Sequence, residues 1–185
     1  MEKSIVIAGF GGQGVLFAGQ VLAYAALAEG KEVTWFPSYG PEMRGGTAHC
    51  TVIISDEAIG APLVNAPDVV IAMNTPSVQK YAAKMTAGAI MLINASLAAP
   101  GSMAVDATTH WIPVNQIAQN AGAERAANVA MLGALLAVSP ILPLQAVADA
   151  ISDHLPARHK DLLPANLLAL ETGYAYARNE PKLVT

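Results

Sequence analysis

A glycine-rich hexapeptide near the amino terminus constrains this chain more than any other feature. Gly9-Phe10-Gly11-Gly12-Gln13-Gly14 separates a short apolar run, Ser4–Ala8, from a stretch where Phe17, Val21, Tyr24 and Ala28 recur at helical spacing. A buried strand, a tight turn and a helix ending near Gly30 are predicted. Glu32–Phe36 is rich in β-branched and aromatic residues and reads as a second strand. The first 36 residues therefore suggest a βαβ unit. The hexapeptide fits G-x-G-x-x-G in the strand-to-helix setting that a dinucleotide fingerprint requires. Its glycines let backbone N–H groups approach an anion, and a helix N-terminus adds partial positive charge. A nicotinamide site also wants an acidic residue at the end of the second strand, for the ribose hydroxyl. That end reads Trp35-Phe36-Pro37-Ser38, and Glu32 stands at the wrong end. NAD binding is therefore disfavoured. Two readings stay open: an anion-binding turn, and glycines that only permit close strand–helix packing.

A second loop is predicted over Pro37–Gly46, which holds two prolines and three glycines. It contains Tyr39-Gly40-Pro41-Glu42-Met43-Arg44-Gly45-Gly46. In a parallel sheet the C-terminal strand ends share one edge, where ligands bind, so the two loops are expected to meet there. Glu42 and Arg44 are opposite charges in a sparsely charged chain. They suit a solvated surface ion pair, worth little energetically. Equally, the planar fork of Arg44 suits a carboxylate or phosphate.

Further along, Thr47–Ser55 reads as a strand, with a turn at Ser55-Asp56-Glu57 into another short strand near Ile59. Val69–Met73 and Ala89–Ile93 read as buried strands, and His110–Ile112 as a short one. Helices are expected at Thr75–Lys84, Val114–Asn120, Glu124–Val138, Leu144–Leu155 and Ala165–Arg178. Strands alternate with helices at the front and helices accumulate at the back, which argues an α/β fold with a mainly parallel sheet. The whole chain, residues 1–185, reads as a single domain.

Composition excludes several functions. With a net charge of −4 nothing here is basic enough to neutralise a run of phosphates, so no nucleic-acid partner is expected. Cys50 is the sole cysteine, which rules out an internal disulfide and a four-thiolate iron–sulfur cluster within this chain. It reads as a small buried hydrophobe, and the chain as cytoplasmic. Two charge-free stretches, Ser4–Ala28 and Ala126–Ala148, raise a membrane question. Glycines break the first and Pro140 and Pro143 the second, so buried or interface helices are favoured over a span. His49 and Cys50 are adjacent on a strand and face opposite ways. His154 and His159 flank Pro156 without a third partner. No metal-ligand spacing, P-loop lysine or nucleophile elbow is present, so no catalytic residue is assigned.

The two loops together strongly resemble the gamma (C) subunit of 2-oxoacid:ferredoxin oxidoreductases. The likeness rests on Gly9–Gly14 and on Ser38-Tyr39-Gly40-Pro41-Glu42-Met43-Arg44-Gly45-Gly46-Thr47. It continues through Ser55-Asp56, Pro67-Asp68, Ala72-Met73-Asn74 and Asn128-Val129-Ala130-Met131-Leu132-Gly133-Ala134, covering residues 5–140 clearly and the tail more loosely. The wording is most similar to 2-oxoglutarate and branched-chain members. The resemblance implies a three-layer α/β/α fold with a mixed, mainly parallel sheet. It also implies a place in a complex that decarboxylates a 2-oxoacid, loads the acyl group on coenzyme A and reduces ferredoxin. Thiamine diphosphate, magnesium and 4Fe-4S clusters are implied on other subunits: alpha, beta and a ferredoxin-like delta. On this chain, cofactor contact is implied for the two loops: Gly9, Gly11, Gly12, Gln13 and Gly14, then Tyr39, Gly40, Glu42, Arg44, Gly45 and Gly46. A free-standing nucleotide- or anion-binding regulatory module is the alternative reading.

The resemblance also offers a cause for the composition. The chain is 54% apolar and only 13% charged, against roughly 45–50% and 25% in ordinary domains. The helix after the glycine loop and Ala126–Val138 are apolar nearly all round and need cover on several sides. Partner surface would supply it, so the isolated chain is expected to self-associate, for instance as a homodimer, or to expose a large apolar patch.

Overall fold

A computed structural model describes residues 1–39, 47–99 and 107–179. Among these residues six strands form one sheet: β1 (Glu2–Phe10), β2 (Glu32–Tyr39), β3 (Thr47–Ser55), β4 (Val69–Ala72), β5 (Ile90–Asn94) and β6 (Thr108–Ile112). Six α-helices accompany them: α1 (Val15–Ala28), α2 (Thr75–Ala82), α3 (Val114–Asn120), α4 (Ala127–Val138), α5 (Leu144–His154) and α6 (Leu163–Asn179). A 3-10 turn, Ala157–Leu162, which the sequence did not signal, leads into α6.

The strand order is β2-β3-β1-β4-β5-β6. β3 runs antiparallel to both of its neighbours, while β1, β4, β5 and β6 are mutually parallel. The sheet is therefore mixed and mainly parallel, as the sequence suggested. The opening β–α–β order is correct, but its pairing is not that of a simple βαβ unit. The place beside β1 is taken by β3, and β2 is displaced to the edge.

That displacement explains a second departure. Pro37, Ser38 and Tyr39 belong to β2 and not to a loop. Proline donates no ladder hydrogen bond and is tolerated on an edge strand, where one side of the backbone needs no partner. The strand expected near Ile59 is not formed; residues 56–66 are turns and irregular backbone.

The two faces of the sheet are unequally covered. Ile5, Ile7, Cys50, Val52, Ile54, Ile71 and Leu92 point into a large core shared with α1, α3, α4, α5 and α6. Val6, Ala8, Val70, Ala72, Met91 and Ile93 point into a smaller core closed by Val78 and Tyr81 of α2. β1 lies between β3 and β4 and is buried on both faces, which is why its sequence reads as an unbroken apolar run.

Two helix ends are set by glycines with positive φ. After α1, Gly30 (φ 71°) donates to Leu27 O and Lys31 N to Ala26 O, the paired bonds of a Schellman end. After α3, Gly122 (φ 76°) donates to Gln119 O and Ala123 N to Ala118 O in the same way.

α4 overturns part of the composition argument. Its apolar surface is covered within the chain: nine of its residues, from Asn128 to Leu136, are buried, against α6, α3 and the sheet. Gly133 lies against the Leu170 carbonyl of α6, and Gly173 of α6 against the Ala130 carbonyl of α4. The missing side chains let the two backbones touch. Among the described residues no helix is long and apolar enough to cross a membrane.

Candidate functional site

The glycine turn leaves β1 at the C-terminal edge of the parallel strands. Gly9 is paired with Ala48, and Ala48 with Tyr39, so β1 and β2 end level with each other on that edge, with the start of β3 between them. The sequence reading thus placed the glycine turn and the end of β2 on the correct edge. Gly40, Glu42, Arg44, Gly45 and Gly46 lie outside the described residues.

Each residue of the first turn has a distinct local reason. A Cβ on Gly9 would stand 2.9 Å from Val15 Cγ2 and 3.0 Å from Met73 Cβ, so β1 can meet α1 and the end of β4 only with glycine here. Gly11 and Gly12 form the turn; Gly12 is exposed, with φ 97° and open space around its Cα. Gly14 caps α1 in the left-handed region at φ 70°, without a side-chain cap bond.

The Gln13 side chain is turned inward. Its Oε1 accepts from Phe10 N at 2.6 Å and from Asn74 Nδ2 at 3.0 Å, and its Nε2 donates to Met73 O at 3.1 Å. Gln13 thus holds the turn's shape and ties it to β4. The amide chain extends along the edge. Asn74 Oδ1 accepts from Ser77 N at 2.9 Å and caps α2. Asn94 Nδ2 donates to Met73 O at 3.3 Å and to Asn115 Oδ1 at 2.8 Å. Four neutral carboxamides therefore knit the ends of β1, β4 and β5 to the start of α3. Asn94 and Asn115 were not singled out from the sequence. Asn74 and Asn94 each close or directly follow an apolar strand run, and that position was the available signal.

Next to the turn lies a cavity of about 630 Å³, lined by Gly14, Phe17, Arg125, Asn128, Val129 and His159 among others. Asn128 reaches across from α4 and donates to Gly14 O at 3.0 Å. Both α1 and α4 start at this cavity, and neither has a side-chain cap or an acidic residue in its first turn. Their leading N–H groups and partial positive charge favour an anion, while Glu124, which also lines the cavity, opposes one. Arg125 is exposed and makes no ion pair among the described residues. The size suits an organic ligand. Arg125 and His159 come from distant segments, so no local pattern in the sequence could reveal them. His154 goes elsewhere and stacks on Tyr24 at a centroid distance of 3.6 Å.

Other reactive groups are silenced or remote. Burial pushes the Cys50 thiol up to about 12, so it is no nucleophile at neutral pH. Its strand neighbour His49 faces the other side of the sheet, edge-on to Tyr81. Among the described residues no group of three or more His, Cys, Asp or Glu could hold a metal ion. The edge therefore offers backbone donors, amides and helix termini for binding an anion.

A mixed α/β sheet with a glycine turn and an amide network at one edge defines the class: an α/β domain whose glycine turn opens on the C-terminal edge of its parallel strands. The chain belongs to the pyruvate ferredoxin/flavodoxin oxidoreductase family, which it matches over residues 4–176. It is 42% identical over 178 residues to the ketoisovalerate oxidoreductase subunit VorA of Methanothermobacter thermautotrophicus, covering 96% of this chain and 37% of that protein. The chain thus spans 37% of the length of the first curated relatives that it matches. It is 38% identical over 181 residues to the 2-oxoglutarate synthase subunit KorC of Methanocaldococcus jannaschii, covering 96% of this chain and 95% of that one. Among solved structures, it is similar to a keto/oxoacid ferredoxin oxidoreductase gamma subunit from Geobacter sulfurreducens PCA. The TM-score there is 0.80 at 28% identity, with 96% of this chain and 97% of that one covered. It is similar also to the 2-oxoglutarate:ferredoxin oxidoreductase from Magnetococcus marinus with 2-oxoglutarate, coenzyme A and succinyl-CoA bound. The TM-score is 0.88 at 26% identity, covering 98% of this chain and 32% of that one.

Proposed function

We propose that this chain, residues 1–185 as one domain, is the gamma subunit of a multi-subunit 2-oxoacid:ferredoxin oxidoreductase, inactive by itself. The assembly oxidatively decarboxylates a 2-oxoacid with coenzyme A to acyl-CoA, CO2 and reduced ferredoxin. The observation that carries this reading is end-to-end similarity to chains that are themselves gamma subunits, 97% of the Geobacter chain being covered. 2-Oxoglutarate is the favoured substrate, since KorC relatives match over nearly their whole length. The 42% identity to VorA supports a branched-chain 2-oxoacid as the second reading.

Thiamine diphosphate, magnesium and 4Fe-4S clusters belong on the partner subunits: alpha, beta and a ferredoxin-like delta. Supporting this division, a single buried cysteine cannot supply a cluster's thiolates. The glycine turn, the adjoining cavity and the second loop form the edge turned toward coenzyme A. Two uncapped helix starts and Arg125 suit its phosphates. Gly9, Gly11, Gly12 and Gly14 shape the backbone there, Gln13 positions it, and Tyr39, Gly40, Glu42, Arg44, Gly45 and Gly46 complete it. Replacing Arg44 by Ala then raises KM for coenzyme A or lowers turnover in the assembled complex. Unchanged kinetics would remove the second loop from the site.

The decisive experiment is co-expression with thiamine diphosphate and ferredoxin-like subunits, co-purification, and assay with 2-oxoglutarate and 3-methyl-2-oxobutanoate in parallel. Reduction of ferredoxin only when this chain is present supports the proposal. A chain that elutes alone and is strongly stabilised by a nucleotide in a thermal-shift titration would favour the regulatory module instead.

A further inference from the structure

Among the described residues the sheet face opposite α1 is unevenly covered over β2 and β3: Ile53 and Ser55 of β3 are buried on it, whereas Phe36 of β2 is exposed. The strand register puts Phe36 and Ser38 of β2 on that face, beside Thr51 and His49 of β3. α1 packs on these two strands from the other face, with Cys50, Val52 and Trp35. Phe36 is 58% exposed, while Ser38, His49 and Thr51 are half-buried.

One histidine and two lysines gather around the Tyr81 ring at the margin of this face. The His49 ring meets Tyr81 of α2 edge-on, with centroids 6.2 Å apart. Lys80 Nζ lies 5.2 Å and Lys84 Nζ 5.6 Å from the centroid of the same Tyr81 ring. Like charges four residues apart repel each other. Burial, then Lys80 and Lys84, lower the pKa of His49. The ion pairs among the described residues use Asp56 and Asp68, and none includes these three residues. Between Val69 and Ala123, Lys80 and Lys84 are the only formally charged side chains among the described residues. In a chain of net charge −4, two lysines without an ion pair among the described residues thus stand at the margin of the face that carries Phe36.

An apolar centre with a charged rim is the anatomy of a protein interface, and the sign of the rim fixes the sign of the partner. The face is an open pleated surface, whereas small-molecule sites are concave. We propose that this face docks an acidic surface of a partner subunit, with Phe36 as the apolar anchor and Lys80 and Lys84 as the cationic rim. The proposal rests on the reading of the chain as a subunit of a larger assembly.

The test is binding of the full chain to the co-expressed remainder of the complex, by co-elution and by equilibrium titration at rising salt. Phe36→Ser and the double variant Lys80→Glu/Lys84→Glu should each weaken binding by about ten-fold or more. Salt should weaken the wild type and have little effect on what remains in the double variant. Leu168→Ser, at an exposed apolar position on α6, serves as the control and should bind as the wild type does. Circular dichroism and Tm of the isolated variants should match the wild type, because all four positions are exposed. Wild-type affinity in both rim and anchor variants, or loss confined to Leu168→Ser, would overturn the docking face. A wild-type chain that binds no partner would take down the subunit reading itself, and this proposal with it.

Discussion

Gly14 sits at the junction of β1, α1 and α4, and two demands meet on it. Its φ of 70° is costly for any residue with a side chain, and a Cβ there would fall on the Asn128 amide. Gly14→Ala should cost about 1–3 kcal/mol, read as a lowered denaturation midpoint at unchanged m-value. Adding Asn128→Ala should recover part of that loss, because the clash goes with the amide. A double variant no better than the sum of the singles would show that backbone strain alone is responsible. Asp68 governs the acid end. Burial by itself would raise its carboxyl, but Ser4 N–H (2.8 Å), the Ser4 hydroxyl (2.7 Å) and Lys3 outweigh burial and hold it below the ordinary carboxylate range. A depressed folded-state pKa stabilises the fold above the unfolded value, about 3.9, and the benefit drains away as pH falls below it. Asp68→Asn should therefore lower stability at pH 7 and flatten the pH dependence of the urea midpoint below about pH 4. An acid limb as steep as the wild type's would assign it to other carboxylates.

At the scale of elements, α4 is the point where sequence reasoning and structure part. Its uninterrupted apolar run implied cover from outside the chain. The structure supplies that cover from within, through α6, because Gly133 and Gly173 let the two helices approach until backbone meets backbone. Sequence alone could not reveal this, since the two glycines are forty residues apart and each looks like a mild helix defect. Gly133→Ala and Gly173→Ala should each destabilise by on the order of 3 kcal/mol, although alanine is the better helix former. Chemical denaturation would check this, and a neutral or stabilising alanine at either position would mean that the helices separate without cost. β2 shows the opposite case. Its extension through Pro37 depends on being an edge strand, and that follows from β3 folding back between β2 and β1.

For the whole molecule, the apolar excess is divided. Most is consumed by the core on the α1 face, and part of the remainder is exposed at Leu63, Phe36, Leu27 and Tyr24 among others. In isolation, the chain should associate with itself in a concentration-dependent way, and Phe36→Ser should weaken that association. Sedimentation velocity across a hundred-fold dilution is the measurement. A monomer at every concentration would mean that the exposed residues are too dispersed to form a sticky patch.

What the sequence by itself determined was local. The glycine turn between strand and helix, the strand Thr47–Ser55, the helix Val114–Asn120 and the burial of Cys50 follow from short-range periodicity and from residues with special backbone freedom. The loop motifs were specific enough to indicate the family. Only the tertiary structure decided which strand lies beside β1, what covers α4, and that Gln13, Asn74, Asn94 and Asn115 form one network. The same holds for Arg125 and His159 at one cavity, and for His49, Lys80 and Lys84 around one ring. Each of those depends on contacts between residues far apart in the chain, and a pattern read along the chain carries no information about which distant segments share a wall.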